Sequence, residues 1–148
     1  AHRISSLTSR IKKKFVLYSQ AGDKNLSDYQ VLIIDNIGML SSLYKYGKIA
    51  YIGGGFGAGI HTILEPAANG LPVIFGPNYG KFREASCLIR EGGAYVIRNY
   101  DELSQRVYSL QHDSIKYNAS SSVVSRYIHD NTGATEIILN KTVMPGSA

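Results

Sequence analysis

The part of this chain best suited to hold an anion is a run of glycines that ends at a histidine, a threonine and a carboxylate. It reads Gly53-Gly54-Gly55-Phe56-Gly57-Ala58-Gly59-Ile60-His61-Thr62-Ile63-Leu64-Glu65-Pro66-Ala67. The run comes after an apolar stretch that reads as a strand and passes into a helical pattern. Glycine has no Cβ, so backbone N–H groups can approach a phosphate closely, and the free N–H groups of a helix start add donors with a favourable dipole. Each charged hydrogen bond of that kind contributes about 1.5–3 kcal/mol. The competing reading is a tight strand-to-helix turn without a ligand, although the glycines outnumber what a turn requires. The spacing is neither the dinucleotide fingerprint, since no Gly-x-Gly-x-x-Gly register fits, nor a Walker A loop, since no Lys-Ser/Thr comes after the last Gly.

His61 stands where loop meets helix, placed to donate to a phosphate oxygen or to cap and pack. No second His or Cys lies at ligand spacing, so a metal site is not expected. Glu65, in the first helical turn, has two readings. It is an acid favourable to the helix dipole, or a carboxylate that accepts from the two hydroxyls of a ribose one turn from a phosphate. Lys81 and Arg83, downstream, either meet an anion at the strand ends or form the exposed basic face of a helix. Asp35 closes another apolar run, and Cys87, without a partner for a disulfide, reads as a small buried thiol in a reducing, cytosolic setting.

Short apolar runs alternating with helical patterns must position these groups, which is the signature of a parallel sheet covered by helices. Strands are expected at Phe15 to Tyr18, Gln30 to Ile34, Ile49 to Ile52, Pro72 to Phe75 and Ala94 to Ile97, nearly continuous in apolar residues as strands buried on both faces are. Helices are expected at Leu40 to Tyr46, Ile63 to Asn69 and Lys81 to Glu91. Another starts near Asp101 as N-cap, with Leu103, Val107 and Leu110 facing inward. A last helix runs from Ser114 to Asn131, with Tyr117, Ser121, Val124 and Ile128 on one stripe, Gly133 as its stop and a loose tail from Met144 to Ala148. In such a sheet a ligand sits at the carboxyl edge, here where the loops after Ile34, Ile52 and Phe75 converge.

The chain has 148 residues, 44% apolar and 18% charged, a globular composition that fits one domain over residues 1–148. Its net charge of +5 makes anionic partners plausible without choosing among them. The basic residues are dispersed and no nucleic-acid module appears, so nucleic acid is not an expected partner. No stretch approaches the roughly 20 apolar residues of a membrane-spanning helix. Ala1 is no initiator, and the sequence reads as a piece of a longer protein.

The residues become specific when the glycine run is joined to its downstream neighbours: Gly57 to Ala67, then Gly70-Leu71-Pro72-Val73-Ile74-Phe75-Gly76-Pro77-Asn78-Tyr79, then Lys81-Phe82-Arg83-Glu84-Ala85. This pattern resembles the C-terminal domain of the 3-deoxy-D-manno-octulosonic acid (Kdo) transferases of lipopolysaccharide synthesis. Asp35-Asn36-Ile37-Gly38-Met39-Leu40 looks like their Asp-Thr-x-Gly-Glu-Leu segment. The resemblance implies a Rossmann-like α/β fold, an open and mainly parallel sheet with helices on both faces that forms the C-terminal half of a GT-B enzyme. It also implies CMP-Kdo as substrate with no further cofactor. By the same resemblance Gly57, Gly59, His61 and Thr62 match the phosphate-binding turn, Glu65 the ribose-binding acid, and Ile37, Gly38 and Met39 a loop near the cytidine. The catalytic carboxylate would lie in an N-terminal domain that this sequence does not include, so the piece alone is expected to be inactive. The full enzyme would act on a lipid A precursor at the cytoplasmic side of the bacterial inner membrane, as a peripheral protein.

Two positions depart from the family pattern. Gly59-Ile60-His61-Thr62 stands where Gly-Gly-His-Asn is common, which removes a glycine and replaces an amide by a hydroxyl. Met39 stands where an acid is usual. The first segment, Ala1-His2-Arg3-Ile4, resembles the remnant of a Pro-His/Arg segment, with Arg3 either facing the donor or simply solvated. The rival readings are the donor domain of another GT-B enzyme or an epimerase using a UDP-sugar, and a non-catalytic phosphate-binding or receiver-like regulatory module.

Overall fold

The computed structural model describes residues 2–132, which divide into two compact units, residues 2–43 and residues 44–132. The first unit runs through α1 (His2–Thr8), β1 (Phe15–Leu17), β2 (Val31–Ile33) and α2 (Leu40–Leu43). Its two strands pair in parallel, Phe15 opposite Val31 and Leu17 opposite Ile33. Val16, Ala21 and Ile33 are its buried apolar side chains. Arg3 falls within α1, and its side chain lies outside the described residues.

The second unit holds β3 (Ala50–Ile52), α3 (Leu64–Ala68), β4 (Val73–Phe75), α4 (Arg83–Glu91), β5 (Ala94–Val96), α5 (Tyr100–His112) and α6 (Ser114–Asn131). The three strands form a parallel sheet in the order β3-β4-β5. β4 is central, and its Val-Ile-Phe sequence explains why. Val73 and Phe75 enter a core with Ile63, Leu88 and Val124, while Ile74 enters a second core with Ile97 and Leu110 on the other face. All three β4 side chains are fully buried, each contributing about 1.5–3 kcal/mol of transfer free energy. α6 packs on α3, α4 and α5 and so ties the helices of this unit together.

The α/β class and the parallel strands agree with the expectation, but the strands fall into two sheets, one in each unit, and each strand is shorter than its apolar run. Pairing, not hydropathy, sets strand ends, and the flanking apolar residues pack from loop positions. The expected helix Leu40 to Tyr46 ends at Leu43 and continues as a 3-10 turn over Tyr44–Tyr46. The helix expected from Lys81 starts at Arg83. Asp101 does not cap α5. Asn99 does, its side chain accepting from Glu102 N at 2.9 Å, while the Glu102 carboxylate accepts from Arg98 N at 2.9 Å. This reciprocal pattern is close to a capping box, and it leaves Asp101 in the first turn. On α6, Val124 is fully buried as expected, but Ser120 is buried more deeply than Ser121, which is half-buried with its Oγ donating to Gly70 O at 2.7 Å. Gly133 and the tail from Met144 lie outside the described residues.

Candidate functional site

The glycine run leaves β3 as a tight turn over residues 53–58, and its geometry depends on missing side chains at particular points. Gly54 adopts φ +87°, and a Cβ there would collide with the Gly59 carbonyl. Gly55 lies against Gly76, the residue just after β4. A Cβ on Gly55 would stand 2.6 Å from Gly76 N, and one on Gly76 would stand 2.7 Å from Gly55 C. The loops after β3 and β4 therefore converge at the carboxyl edge of the sheet, backbone against backbone. Gly57 is different, since a Cβ there would meet nothing nearer than Gly54 O at 3.7 Å. The fold does not require a glycine at that position.

Asn78 fastens the two loops. Its N–H donates to Gly55 O at 2.9 Å, its carbonyl accepts from Ile60 N at 3.1 Å, and its side-chain Nδ2 donates to Gly57 O at 2.8 Å. Between the loops is a hollow of about 290 Å³ lined by Gly57, Ala58, Gly59, Asn78, Gly80, Lys81 and Phe82. Lys81 is the only ionisable side chain on that lining, so the hollow carries positive charge. Arg83, considered with Lys81 in the sequence, lines a separate hollow with Glu84, Cys87, Glu91 and Tyr127. Cys87 is half-buried there, more open than a core thiol.

The donor inventory of the turn is set by its internal bonds. Gly57 N and Gly59 N donate to Gly54 O, and His61 N donates to Gly53 O. Among the described residues, the N–H groups of Ala58, Thr62, Ile63 and Glu65 form no hydrogen bond with an acceptor. Of these residues Ala58, Thr62 and Glu65 are exposed, whereas Ile63 is fully buried. Thr62 Oγ1 accepts from Leu64 N at 3.4 Å, so its hydroxyl caps the helix start. α3 is only five residues long, with Ile63 at its N-cap making no side-chain bond. The macrodipole invoked from the sequence is correspondingly short.

His61 and Glu65 are both exposed, and neither side chain makes a hydrogen bond among the described residues. The Glu65 carboxylate is thus open to a ligand. Tyr44 is a neighbour that sequence reasoning missed. Its hydroxyl is pushed above the ordinary tyrosine value, first by burial and then by the negative charge of Glu65. Twenty-one positions separate the two residues, and nothing in the local pattern around Tyr44 signals the encounter. The part Asn78 plays in joining the loops was also missed, although it sits in the quoted motif, because its three bonds arise only when the loops meet. Among the described residues no group of three His, Cys, Asp or Glu side chains forms a metal site.

Ile37, Gly38 and Met39 belong to the first unit. Ile37 is fully exposed, Gly38 turns the chain at φ +95°, and Met39 is half-buried with its Sδ accepting from Asn36 Nδ2 at 2.9 Å. Asp35 accepts from Ser19 N at 2.9 Å and from Ser19 Oγ, and these bonds hold its carboxyl below the ordinary aspartate value. Its carboxylate is committed to fastening the end of β2 to the turn after β1, which explains Asp35 without a receiver-like role.

No family model matches the chain. Among curated proteins it is similar to 3-deoxy-D-manno-octulosonic acid transferases. It is 39% identical to that of Aquifex aeolicus over 82 residues, which is 54% of this chain and 23% of that protein. It is 32% identical to that of Chlamydia muridarum over 107 residues, 71% of this chain and 24% of that protein. It is 27% identical to that of Rickettsia typhi over 135 residues, 87% of this chain and 29% of that protein. The chain thus spans about a quarter of the length of these relatives. In fold it matches the C-terminal CMP-Kdo binding domain of WaaA from Acinetobacter baumannii, with a TM-score of 0.75 and 18% identity, covering 84% of this chain and 66% of that one.

Proposed function

We propose that this chain, a relative of the Kdo transferases with the fold of their C-terminal domain, is the part of such an enzyme that holds the sugar donor, CMP-Kdo. The observation that carries the reading is the set of unbonded N–H groups on the exposed residues Ala58, Thr62 and Glu65, with Ala58 on the wall of the hollow that Lys81 lines. In this reading the donor's phosphate takes those N–H groups, with Gly57 and Gly59 allowing the approach and His61 adding a ring donor. The exposed Glu65 carboxylate accepts from the ribose hydroxyls. For Ile37, Gly38 and Met39, which belong to the first unit, a role near the cytidine is what the family resemblance implies. Donors fixed in place before reaction stabilise the charge that grows on the CMP phosphate as the glycosidic bond breaks, and they need no reorganisation to do so.

The rest of the reaction belongs to the longer protein. There an N-terminal domain would complete a GT-B enzyme, supply the base that activates the acceptor hydroxyl, and bring up a lipid A precursor. A positive chain suits work at an anionic bilayer surface. Among the described residues no helix is long and apolar enough to cross a membrane. The attachment proposed, on the family resemblance, is peripheral, on the cytoplasmic side of the inner membrane. The reading requires no cofactor.

The test is an NMR titration of the purified chain with CMP, UMP and AMP, following the amides of Gly53 to Glu65. Preferential shifts with CMP are expected. An equal or stronger response to UMP would transfer the site to a UDP-sugar enzyme, and no response at millimolar nucleotide would remove the nucleotide reading of this loop.

A further inference from the structure

We infer that Asn78 is a positioning residue for the anion site, a role that rests on the phosphate reading of the glycine turn. Its backbone bonds to Gly55 and Ile60 belong to the crossing of the two loops and survive any side-chain change. The side-chain bond is separate. Asn78 Nδ2 donates to Gly57 O at 2.8 Å across 21 positions of sequence, and Asn78 is exposed, so this bond is not needed to satisfy a buried group. Its effect is geometric. The Gly57–Ala58 peptide is planar and trans, so holding its carbonyl fixes the direction of the N–H on its other side. That N–H belongs to Ala58, one of the groups without an acceptor, on the wall of the hollow.

Gly57 has no side chain to restrict its backbone, and neither steric contact nor positive φ locks it. Gly57 N and Gly59 N still hold the turn through Gly54 O, but without the Asn78 amide neither the carbonyl nor the N–H of the Gly57–Ala58 peptide has a hydrogen-bond partner among the described residues, so the Ala58 N–H is held less firmly and has more to order when the anion binds. Asn78 removes that cost in advance, which is the way preorganisation raises affinity. The residue therefore acts on the phosphate through Ala58 and leaves contacts to the nucleoside untouched.

The experiment compares wild type with Asn78→Leu, which keeps the shape but loses the donor, and with Asn78→Gln, which retains a donor. Asn78→Ser, whose hydroxyl is too short to reach Gly57 O, is a second loss variant should the Leu side chain perturb folding. Affinities for CMP and for cytidine are measured on each, together with amide hydrogen exchange at Ala58. The loss variants are expected to bind CMP about fivefold to tenfold more weakly, the effect of one modest hydrogen bond. They should bind cytidine as wild type does and exchange the Ala58 amide faster, and Asn78→Gln should recover part of the CMP affinity. Wild-type CMP affinity in the folded loss variants, or an equal weakening for cytidine, would overturn the role of Asn78 and leave the site reading standing. A wild-type chain that binds neither CMP nor inorganic phosphate would overturn the site reading itself, and this inference with it.

Discussion

At the scale of single residues, the glycines of the turn do different jobs, and substitution separates them. Gly55 has no room for a methyl group, because a Cβ would stand 2.6 Å from Gly76 N. Gly57 has room, its nearest atom 3.7 Å away, and it is exposed. Gly55→Ala is therefore expected to cost about 1–3 kcal/mol of stability through backbone displacement. Gly57→Ala should change stability by less than about 0.5 kcal/mol, yet weaken CMP binding about tenfold if a phosphate approaches the backbone there. Denaturant unfolding and CMP titration of both variants check this. If Gly57→Ala binds CMP as wild type does, Gly57 is no part of the donor site. The sequence made Gly57 and Gly59 legible as candidates, since glycine excess after a strand has few other uses. It could not distinguish glycines that serve the ligand from those that serve the crossing of two loops, because Gly76 lies 21 positions from Gly55 and their contact exists only in the fold.

At the scale of elements, the ends of β2 and β1 are fastened by one carboxylate. Asp35 is bonded by Ser19 N and Ser19 Oγ, which lowers its folded pKa below the unfolded value. The stabilisation is thus complete above the ordinary aspartate value and is lost as pH falls through the lower folded value. Thermal unfolding of the wild type, followed by first-unit amides from pH 6 down to strongly acidic solution, should show this loss. Asp35→Asn should show a lower plateau at pH 6 and a flatter acid limb. An unchanged acid limb in the variant would remove Asp35 from the account. The elements themselves were largely readable. Apolar runs such as Val73-Ile74-Phe75 have little alternative to a buried parallel strand. Boundaries were less so, because a cap is chosen by geometry. Asn99 and Asp101 are both good N-cap types, and the Glu102 side chain, bonding back to Arg98 N, decides for Asn99. Likewise the Thr62 hydroxyl, matched from the sequence to the phosphate-binding turn, accepts from Leu64 N and so caps the helix start.

At the scale of the molecule, burial is unevenly shared between the two units. The first buries Val16, Ala21 and Ile33, while the second encloses β4 on both faces and ties α3, α4 and α5 to α6. Local opening follows the density of buried apolar contacts. Native-state hydrogen exchange should find the amides of β1 and β2 opening at markedly lower free energy than those of β4, and equal protection in both sheets would contradict the division. The two-unit organisation was not legible in the sequence, where five similar apolar runs suggest one sheet and pairing partners cannot be read from hydropathy.

The seam between Gly55 and Gly76 carries a consequence for how the site is lost. At Gly55 and Gly76 the two loops touch main chain to main chain, with the Phe56 ring beside the contact, and both main-chain groups of Asn78 stitch them together. That stitching ties them to the strands from which they emerge. On warming, a binding loop of ordinary make slackens well below the melting of its domain. Here the cradle of N–H groups should keep its form until β3 and β4 part, so that recognition and fold in the second unit fail together, at one temperature.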